Sequence, residues 1–143
     1  NYAKFSPFLP LIGGGRTQFQ PILVSDLAQI IIGCINKQFQ AGQIIEAGGP
    51  DTLSFKEILT FLLNELKLKR FLINLPFYLA TKLAFFLERM PIRLITRDQV
   101  EMLKTDNIVD KKNSYKKFLK YECNTFFIAA KKQLKFYKKN GGH

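Results

Sequence analysis

The chain has 143 residues, of which 47% are hydrophobic, and its formal net charge is +11. This length suits one domain of ordinary size and excludes a second full domain. The longest apolar stretches, 22–35 and 71–87, are too short or too interrupted for a membrane span, which needs about 20 apolar residues. Cys34 and Cys123 are too far apart in sequence for a C-x-x-C redox pair or a cysteine-based zinc site, and we predict free thiols.

The residue pattern in the first part of the chain predicts loops, two short strands and an apolar helix. Prolines and the triple glycine Gly13–Gly15 indicate an extended loop with a tight turn. Gln20–Val24 is predicted to be a strand, and Asp26 is placed to cap a helix over residues 27–35. That helix is apolar on nearly every face, so we expect it to be buried. Gln43–Ala47 is predicted to be the second strand.

Three further helices are indicated by their starting signals. Two of them carry a capping box, in which a hydroxyl N-cap and a polar residue three positions later satisfy each other's backbone N–H groups. The boxes are Ser54 with Glu57, and Thr96 with Gln99. They predict helices over 54–66 and 96–104, and between them Pro76 permits a helix over 77–90 that Pro91 stops.

The end of the chain is strongly basic, since residues 110–140 hold ten lysines and only two acids. A lysine-rich linker is predicted before an amphipathic helix that begins at Thr125. Such a helix suits an anionic membrane surface or a partner groove. The lysines assigned to this surface are Lys131, Lys132, Lys135, Lys138 and Lys139. Because aromatic residues are interleaved with the lysines, a small basic nucleic-acid or membrane-surface binding module remains an alternative.

Several segments resemble extended and atypical short-chain dehydrogenases/reductases (SDRs), which include the NAD-dependent epimerases and dehydratases. Residues 11–28 follow the family's order of glycine-containing loop, short strand and V-x-D-x-A helix start. Residues 45–50 followed by 53–59 are similar to the next unit of the family. The stretch 94–107 resembles the branch related to the NAD(P)H-binding accessory subunit of complex I and its alphaproteobacterial relatives.

The resemblance implies an α/β fold. We expect the C-terminal, mainly helical, substrate-side part of a Rossmann-like doubly wound fold, with two short strands and without the central dinucleotide-binding sheet. Residues 1–109 would be the C-terminal part of the SDR-like domain, and 110–143 a linker and helix. The family's G-x-x-G-x-x-G turn has no counterpart here, and its catalytic Tyr-x-x-x-Lys pair would precede this chain. Tyr78 and Lys82 have the spacing but not the family's position.

The predicted site residues are few. Arg16 and Gln20 lie on the loop that borders the substrate side in the family, and an arginine can hold a phosphate or carboxylate with two parallel bonds. Gly13–Gly15 lead into a strand, so we interpret them as a turn rather than a phosphate loop. Asp26 is interpreted as a helix cap. His143 is the one histidine, and we predict neither a metal site nor a catalytic residue in this chain.

The functional hypothesis is a cofactor-incompetent C-terminal fragment of an NAD(P)H-binding SDR-like protein with a structural or assembly role at respiratory complex I. The alternative from the same family is the substrate domain of an active epimerase or reductase. Expected partners are a missing or separately encoded Rossmann portion and complex I subunits, with peripheral membrane contact; nucleic acid is disfavoured. The resemblance implies the bacterial cytoplasm or inner-membrane surface, or the mitochondrial matrix in a eukaryote. Helices 27–35 and 77–90 would expose apolar faces, which predicts poor solubility, oligomerisation or rescue by a separately made N-terminal piece.

Overall fold

A computed structural model of the protein describes residues 7–37, 42–88 and 95–139, with the backbone alone for 136–139. The helices are α1 (Val24–Asn36), α2 (Phe55–Glu65), α3 (Phe77–Leu87), α4 (Arg97–Met102) and α5 (Phe126–Lys139). The strands are β1 (Phe8–Ile12), β2 (Gln18–Phe19), β3 (Leu53–Ser54) and β4 (Phe71–Leu75). The predicted mixed α/β class is thereby confirmed, and the architecture is compatible with a fragment of a Rossmann-like fold.

The chain divides into two compact units, and it passes between them more than once. The first unit contains the described residues of Asn1–Phe19 and Leu53–Asn107. The second contains those of Gln20–Thr52 and Ile108–His143. Each unit is therefore built from two separate segments of the sequence.

A parallel pair of strands, β1 and β4, organises the first unit. Phe8 pairs with Phe71 and Ile12 with Leu75, so both strands end at the same edge of the sheet. Neither strand was predicted, because Pro10 suggested a loop and residues 71–75 merge with the apolar run of the next helix. Proline is nevertheless tolerated in a strand at a sheet edge.

The core of the first unit lies against the carboxyl ends of these strands. Ile12, Ala80, Ala84 and Val100 are buried there, and Leu75, Phe77, Ile95 and Leu103 surround them. Ala80 and Ala84 are four residues apart and therefore lie on one face of α3. Their small side chains are completely buried, as is that of Val100 on α4. This face of α3 therefore packs against α4 and against the ends of the two strands.

Both predicted capping boxes are present at the starts of α2 and α4. The Ser54 hydroxyl accepts from the Glu57 N–H at 3.2 Å, and the Glu57 carboxylate accepts from the Ser54 N–H at 2.7 Å. Thr96 and Gln99 make the corresponding bonds at 3.3 and 3.1 Å. Bonding to Ser54 lowers the pKa of Glu57, so this capping bond persists at neutral pH and is lost as the pH falls through the lowered value.

Replacing Ser54 by alanine is expected to destabilise the first unit by about 1 kcal/mol, the usual loss for a serine N-cap. The Glu57 N–H would lose its acceptor, and the start of α2 would fray. Urea unfolding followed by circular dichroism measures the change. Replacing Ser54 by threonine keeps a hydroxyl that accepts from the Glu57 N–H and donates to the Glu57 carboxylate, so this variant should recover most of the stability. Equal losses in both variants would contradict the capping role.

The second unit departs from the prediction at its strands. Residues 20–24 are not a strand, since α1 begins at Val24 and the nearby strand β2 ends at Phe19. The second predicted strand, 43–47, is reduced to a single parallel bridge between Glu46 and Ser114. The Glu46 N–H donates to the Asn113 carbonyl, and the Glu46 carbonyl accepts from the Tyr115 N–H, both at 2.9 Å. The backbone groups here bond to a distant loop instead of to a long strand.

The expected burial of the apolar helix around residues 27–35 is wrong. Within α1 only Asp26 and Ile30 are buried, while Ile31 and Ile32 are 51% and 50% exposed and Ile35 is 76% exposed. On α3, Phe86 is 68% exposed. The uncovered apolar faces expected on both helices are thus observed.

No helix within the described residues has the length and apolar character needed to cross a membrane.

Candidate functional site

A pocket of about 530 Å³ lies in the first unit, beside the paired strands β1 and β4. Its polar lining consists of the side chains of Arg16, Gln18, Ser54, Lys56 and Asn74. Leu11 and Leu72 form its apolar wall. Leu11 and Asn74 are register partners, so one face of the strand pair contributes to the pocket. Ligands of open α/β sheets bind near the carboxyl ends of the strands, where Asn74 and the turn after β1 are found.

The turn between β1 and β2 shapes the floor of this pocket. Gly13, Gly14 and Gly15 all have positive φ, between 60° and 72°, which other residues rarely adopt. A Cβ at Gly14 would lie 3.6 Å from the amide oxygen of Asn74 and 3.8 Å from Nε of Arg16. A Cβ at Gly13 would collide with the ring of Phe77. The glycines form the predicted turn, and Gly14 leaves open the space between Asn74 and Arg16.

The charge in the pocket is positive. Arg16 and Lys56 are both exposed and form no ion pair with any of the residues that the structure describes. Glu57, next to the pocket residue Lys56, is bonded to Ser54 in the capping box, and Asp106 accepts from the Gln18 N–H at 2.8 Å. None of the lining residues is acidic. The geometry therefore offers two cations to an anion.

Of the two residues predicted for the substrate-side loop, only Arg16 lines this pocket. Gln20 belongs to the second unit, where its amide nitrogen donates to the Gly49 carbonyl at 2.8 Å and its amide oxygen accepts from the Val109 N–H at 2.9 Å. Both ends of the side chain are therefore occupied by backbone groups. The observed role of Gln20 is to join two loops.

Asp26 is the most buried charged side chain of the described residues and is not a helix cap. It lies in the first turn of α1, is 1% exposed, and makes no N-cap hydrogen bond there. Its carboxylate instead accepts from the Tyr121 hydroxyl at 3.0 Å and from the Asn124 backbone N–H at 2.7 Å. The Asn124 side-chain amide donates to the same carboxylate at 3.0 Å. Burial and the bond to Asp26 raise the pKa of Tyr121.

A second buried polar contact lies close by in sequence. Tyr115 is fully buried, and its hydroxyl lies 3.0 Å from Sγ of Cys123. Burial, followed by the contact with Cys123, raises the pKa of Tyr115 far above its usual range. Cys34 and Cys123 are both free thiols, as predicted. Tyr115 therefore stays neutral and serves as a core side chain of the second unit.

Tyr78 and Lys82 are not a buried acid–base pair. Tyr78 is 63% exposed on α3, and Nζ of Lys82 lies 5.5 Å from the centre of its ring. This is a cation–π contact on the helix surface. Among the described residues, no three histidine, cysteine or acidic side chains come together as metal ligands. His143 lies outside the described residues.

The basic surface predicted for the C-terminal helix is only partly described. Lys131, Lys132 and Lys135 are exposed on α5, whereas the side chains of Lys138 and Lys139 lie outside the described part of the chain. The carboxylate of Asp51 accepts from the N–H of Phe126 at 2.7 Å, so the first turn of α5 is fixed within the second unit. No local pattern predicts this cap, because Asp51 is far from the helix in the chain.

No family model matches the chain. The chain is 31% identical over 118 residues to NADH dehydrogenase [ubiquinone] 1 alpha subcomplex subunit 9, mitochondrial, of Arabidopsis thaliana. The match covers 76% of this chain and 29% of that protein, so the chain spans less than a third of this relative. The predicted relationship to the SDR-like and complex I proteins is confirmed at this coarse level: the chain is related in sequence to a subunit of mitochondrial NADH dehydrogenase.

Proposed function

We propose that this chain acts in a structural or assembly role at complex I, as the substrate-side part of an SDR-like protein that binds NAD(P)H. The observation that carries the proposal is the 31% identity to the NADH dehydrogenase subunit over most of the chain. Cofactor binding would depend on a glycine-rich turn that the 143 residues do not contain. In this proposal the chain alone neither binds the cofactor nor catalyses hydride transfer.

The form of the first unit supports this assignment. A parallel strand pair needs a long crossover connection, which is typical of the doubly wound α/β folds to which SDRs belong. The exposed apolar residues on β4 and α3, such as Phe71 and Phe86, offer a surface for a neighbouring protein or domain. A structural role requires such a surface, whereas the surface contact between Tyr78 and Lys82 offers no catalytic pair.

The basic surface of α5 is the proposed contact with an acidic protein or with the anionic membrane next to the complex. Lys131, Lys132 and Lys135 are exposed there. Positive charge near an anionic membrane surface contributes about 1 kcal/mol per residue, and salt weakens it. Attachment through this surface should therefore decrease at high ionic strength.

The test is made in the source organism with the chromosomal gene tagged. Membranes are solubilised in mild detergent and separated by native electrophoresis, and NADH dehydrogenase activity is stained in the gel. We expect the tagged protein to migrate with the active complex, and deletion of the gene to lower the amount of assembled complex. A protein that migrates alone, in a strain where deletion leaves the complex unchanged, would rule the proposal out.

Matched charge variants distinguish membrane attachment through α5 from attachment through the lysine-rich linker. One variant replaces Lys131, Lys132 and Lys135 by glutamine, and the control replaces the same number of linker lysines, Lys111, Lys112 and Lys116. Salt-sensitive membrane attachment should fall in the first variant and persist in the second. Equal loss in both would show that total charge, and not the surface of α5, holds the protein at the membrane.

A further inference from the structure

We propose that the pocket beside β1 and β4 binds the phosphate group of a small organic phosphate, with Arg16 and Lys56 as its two cations. This inference rests on the geometry of the first unit and is independent of the proposed role at complex I. The two residues come from different elements, since Arg16 follows the glycine turn and Lys56 lies in the first turn of α2. The chain has thus brought two positive charges to one cavity.

The two cations are available to a ligand. Neither Arg16 nor Lys56 has an ion-pair partner among the described residues, although other lysines and arginines of the same unit do. Arg97 is paired with Glu88 at 2.9 Å and Lys104 with Glu101 at 2.6 Å. Both side chains are therefore available to an anion that enters the pocket.

The third polar group is the side-chain amide of Asn74, at the carboxyl end of β4. It makes no hydrogen bond to the described residues, so its donor N–H groups are available. Gly14 lies between this amide and Nε of Arg16. A Cβ at Gly14 would be 3.7 Å from Nδ2 of Asn74 and 3.8 Å from Nε of Arg16. Donors on two sides of an open glycine could reach oxygens of the same anion.

The charge and the size of the pocket favour a phosphate ester over a simple carboxylate. A phosphate monoester carries a charge of about −1.5 to −2 at neutral pH, which matches two cations, whereas a carboxylate carries one charge. The volume of about 530 Å³ is larger than a phosphate needs and falls in the range of small-molecule sites. Leu11 and Leu72 give it an apolar wall. An organic group attached to the phosphate would lie against these leucines.

The experiment is calorimetric titration of the 143-residue chain with phenyl phosphate, benzoate and inorganic phosphate at constant ionic strength. We expect saturable binding of phenyl phosphate, weaker binding of inorganic phosphate because it lacks the apolar group, and the weakest binding of benzoate. Arg16→Gln and Lys56→Gln should each weaken phenyl phosphate binding roughly tenfold, as expected for a lost charged hydrogen bond. Arg16→Lys should lose less, because it keeps the charge but not the paired bonds.

The control is Lys112→Gln, which removes the same charge from an exposed lysine in the second unit. It should bind phenyl phosphate like the unchanged chain. In a parallel NMR titration, the Nε–H of Arg16 and the side-chain amide of Asn74 should shift with the ligand. The proposal is wrong if Lys112→Gln weakens binding as much as Arg16→Gln does, if Arg16→Gln and Lys56→Gln bind normally, or if neither signal shifts.

Discussion

Replacing Gly49 by alanine is expected to destabilise the second unit by about 3 kcal/mol, the upper part of the usual cost of overpacking a well-packed interior. Gly49 is buried, and a Cβ there would overlap the carbonyl oxygen of Pro21. The colliding atom belongs to the backbone and cannot turn aside as a side chain can. The Gly49 N–H also donates to the Gln20 carbonyl at 3.4 Å, so the two segments are joined at the collision point.

Gly33 provides the matched control, because it lies in the same unit on α1. A Cβ at Gly33 would meet only the side-chain end of Leu119, at 3.1 Å, which can move by a few tenths of an ångström. Alanine within a helix also gains about 1 kcal/mol over glycine, so Gly33→Ala should be close to neutral. The chain has no tryptophan, so urea unfolding is followed by far-ultraviolet circular dichroism. Equal stability of Gly49→Ala and Gly33→Ala would contradict the predicted collision.

Replacing Asp26 by alanine is the second change for which we expect a loss of about 3 kcal/mol. The Tyr121 hydroxyl and the backbone and side-chain N–H groups of Asn124 would lose their common acceptor. Asp26 is buried, whereas Tyr121 is half-buried and Asn124 exposed. A hydrogen bond to a charged group contributes about 1.5 to 3 kcal/mol, and water that reaches these donors would recover part of the total. Asn124→Ala removes only the side-chain donor and should cost about 1 kcal/mol.

The pKa of Tyr121 gives a second readout that a merely structural loss would not produce. Burial raises this pKa most, and the hydrogen bond and charge of Asp26 raise it further. In Asp26→Ala the pKa should fall toward the usual value for tyrosine while remaining above it. Tyrosinate absorbance is titrated in each protein, with Tyr121→Phe as the blank that identifies the signal. An unchanged pKa in the folded variant would show that Tyr121 does not donate to Asp26.

Local signals in the sequence predicted the helices that depend on local bonds. The capping boxes at Ser54 and Thr96 join residues three positions apart, so the pattern contains all the partners that the structure uses. Asp26 shows the limit of the same reasoning. Its position before an apolar run resembles a helix cap, but its partners Tyr121 and Asn124 are close only after folding. An aspartate can serve either as a helix cap or as a buried hydrogen-bond acceptor, so its residue type alone does not distinguish the two roles.

The strands were predicted less well because their partners are distant in sequence. β1 (Phe8–Ile12) and β4 (Phe71–Leu75) are far apart in the sequence, and no short-range pattern predicts that they pair in parallel. Residues 43–47 have strand-like composition, yet only Glu46 finds a backbone partner. Arg16 was predicted as a ligand candidate because its loop borders the substrate side in the family that the chain resembles, and because a guanidinium can hold an anion with two bonds. Lys56 and Asn74 were missed because the fold, and not the sequence order, brings them to the same pocket.

Because each unit is built from two separate segments of the sequence, neither can fold completely until its second segment has been translated. In the first unit, β1 cannot pair with β4 until β4 has been synthesised, and the second segment of this unit extends to Asn107. The second unit, interrupted after Thr52, must wait for the tail that supplies Tyr121 and Asn124 to Asp26. Such long-range closure slows folding and leaves apolar surface exposed during translation. A nascent chain stalled before Tyr121 would hold Asp26 without these partners and should depend on chaperones.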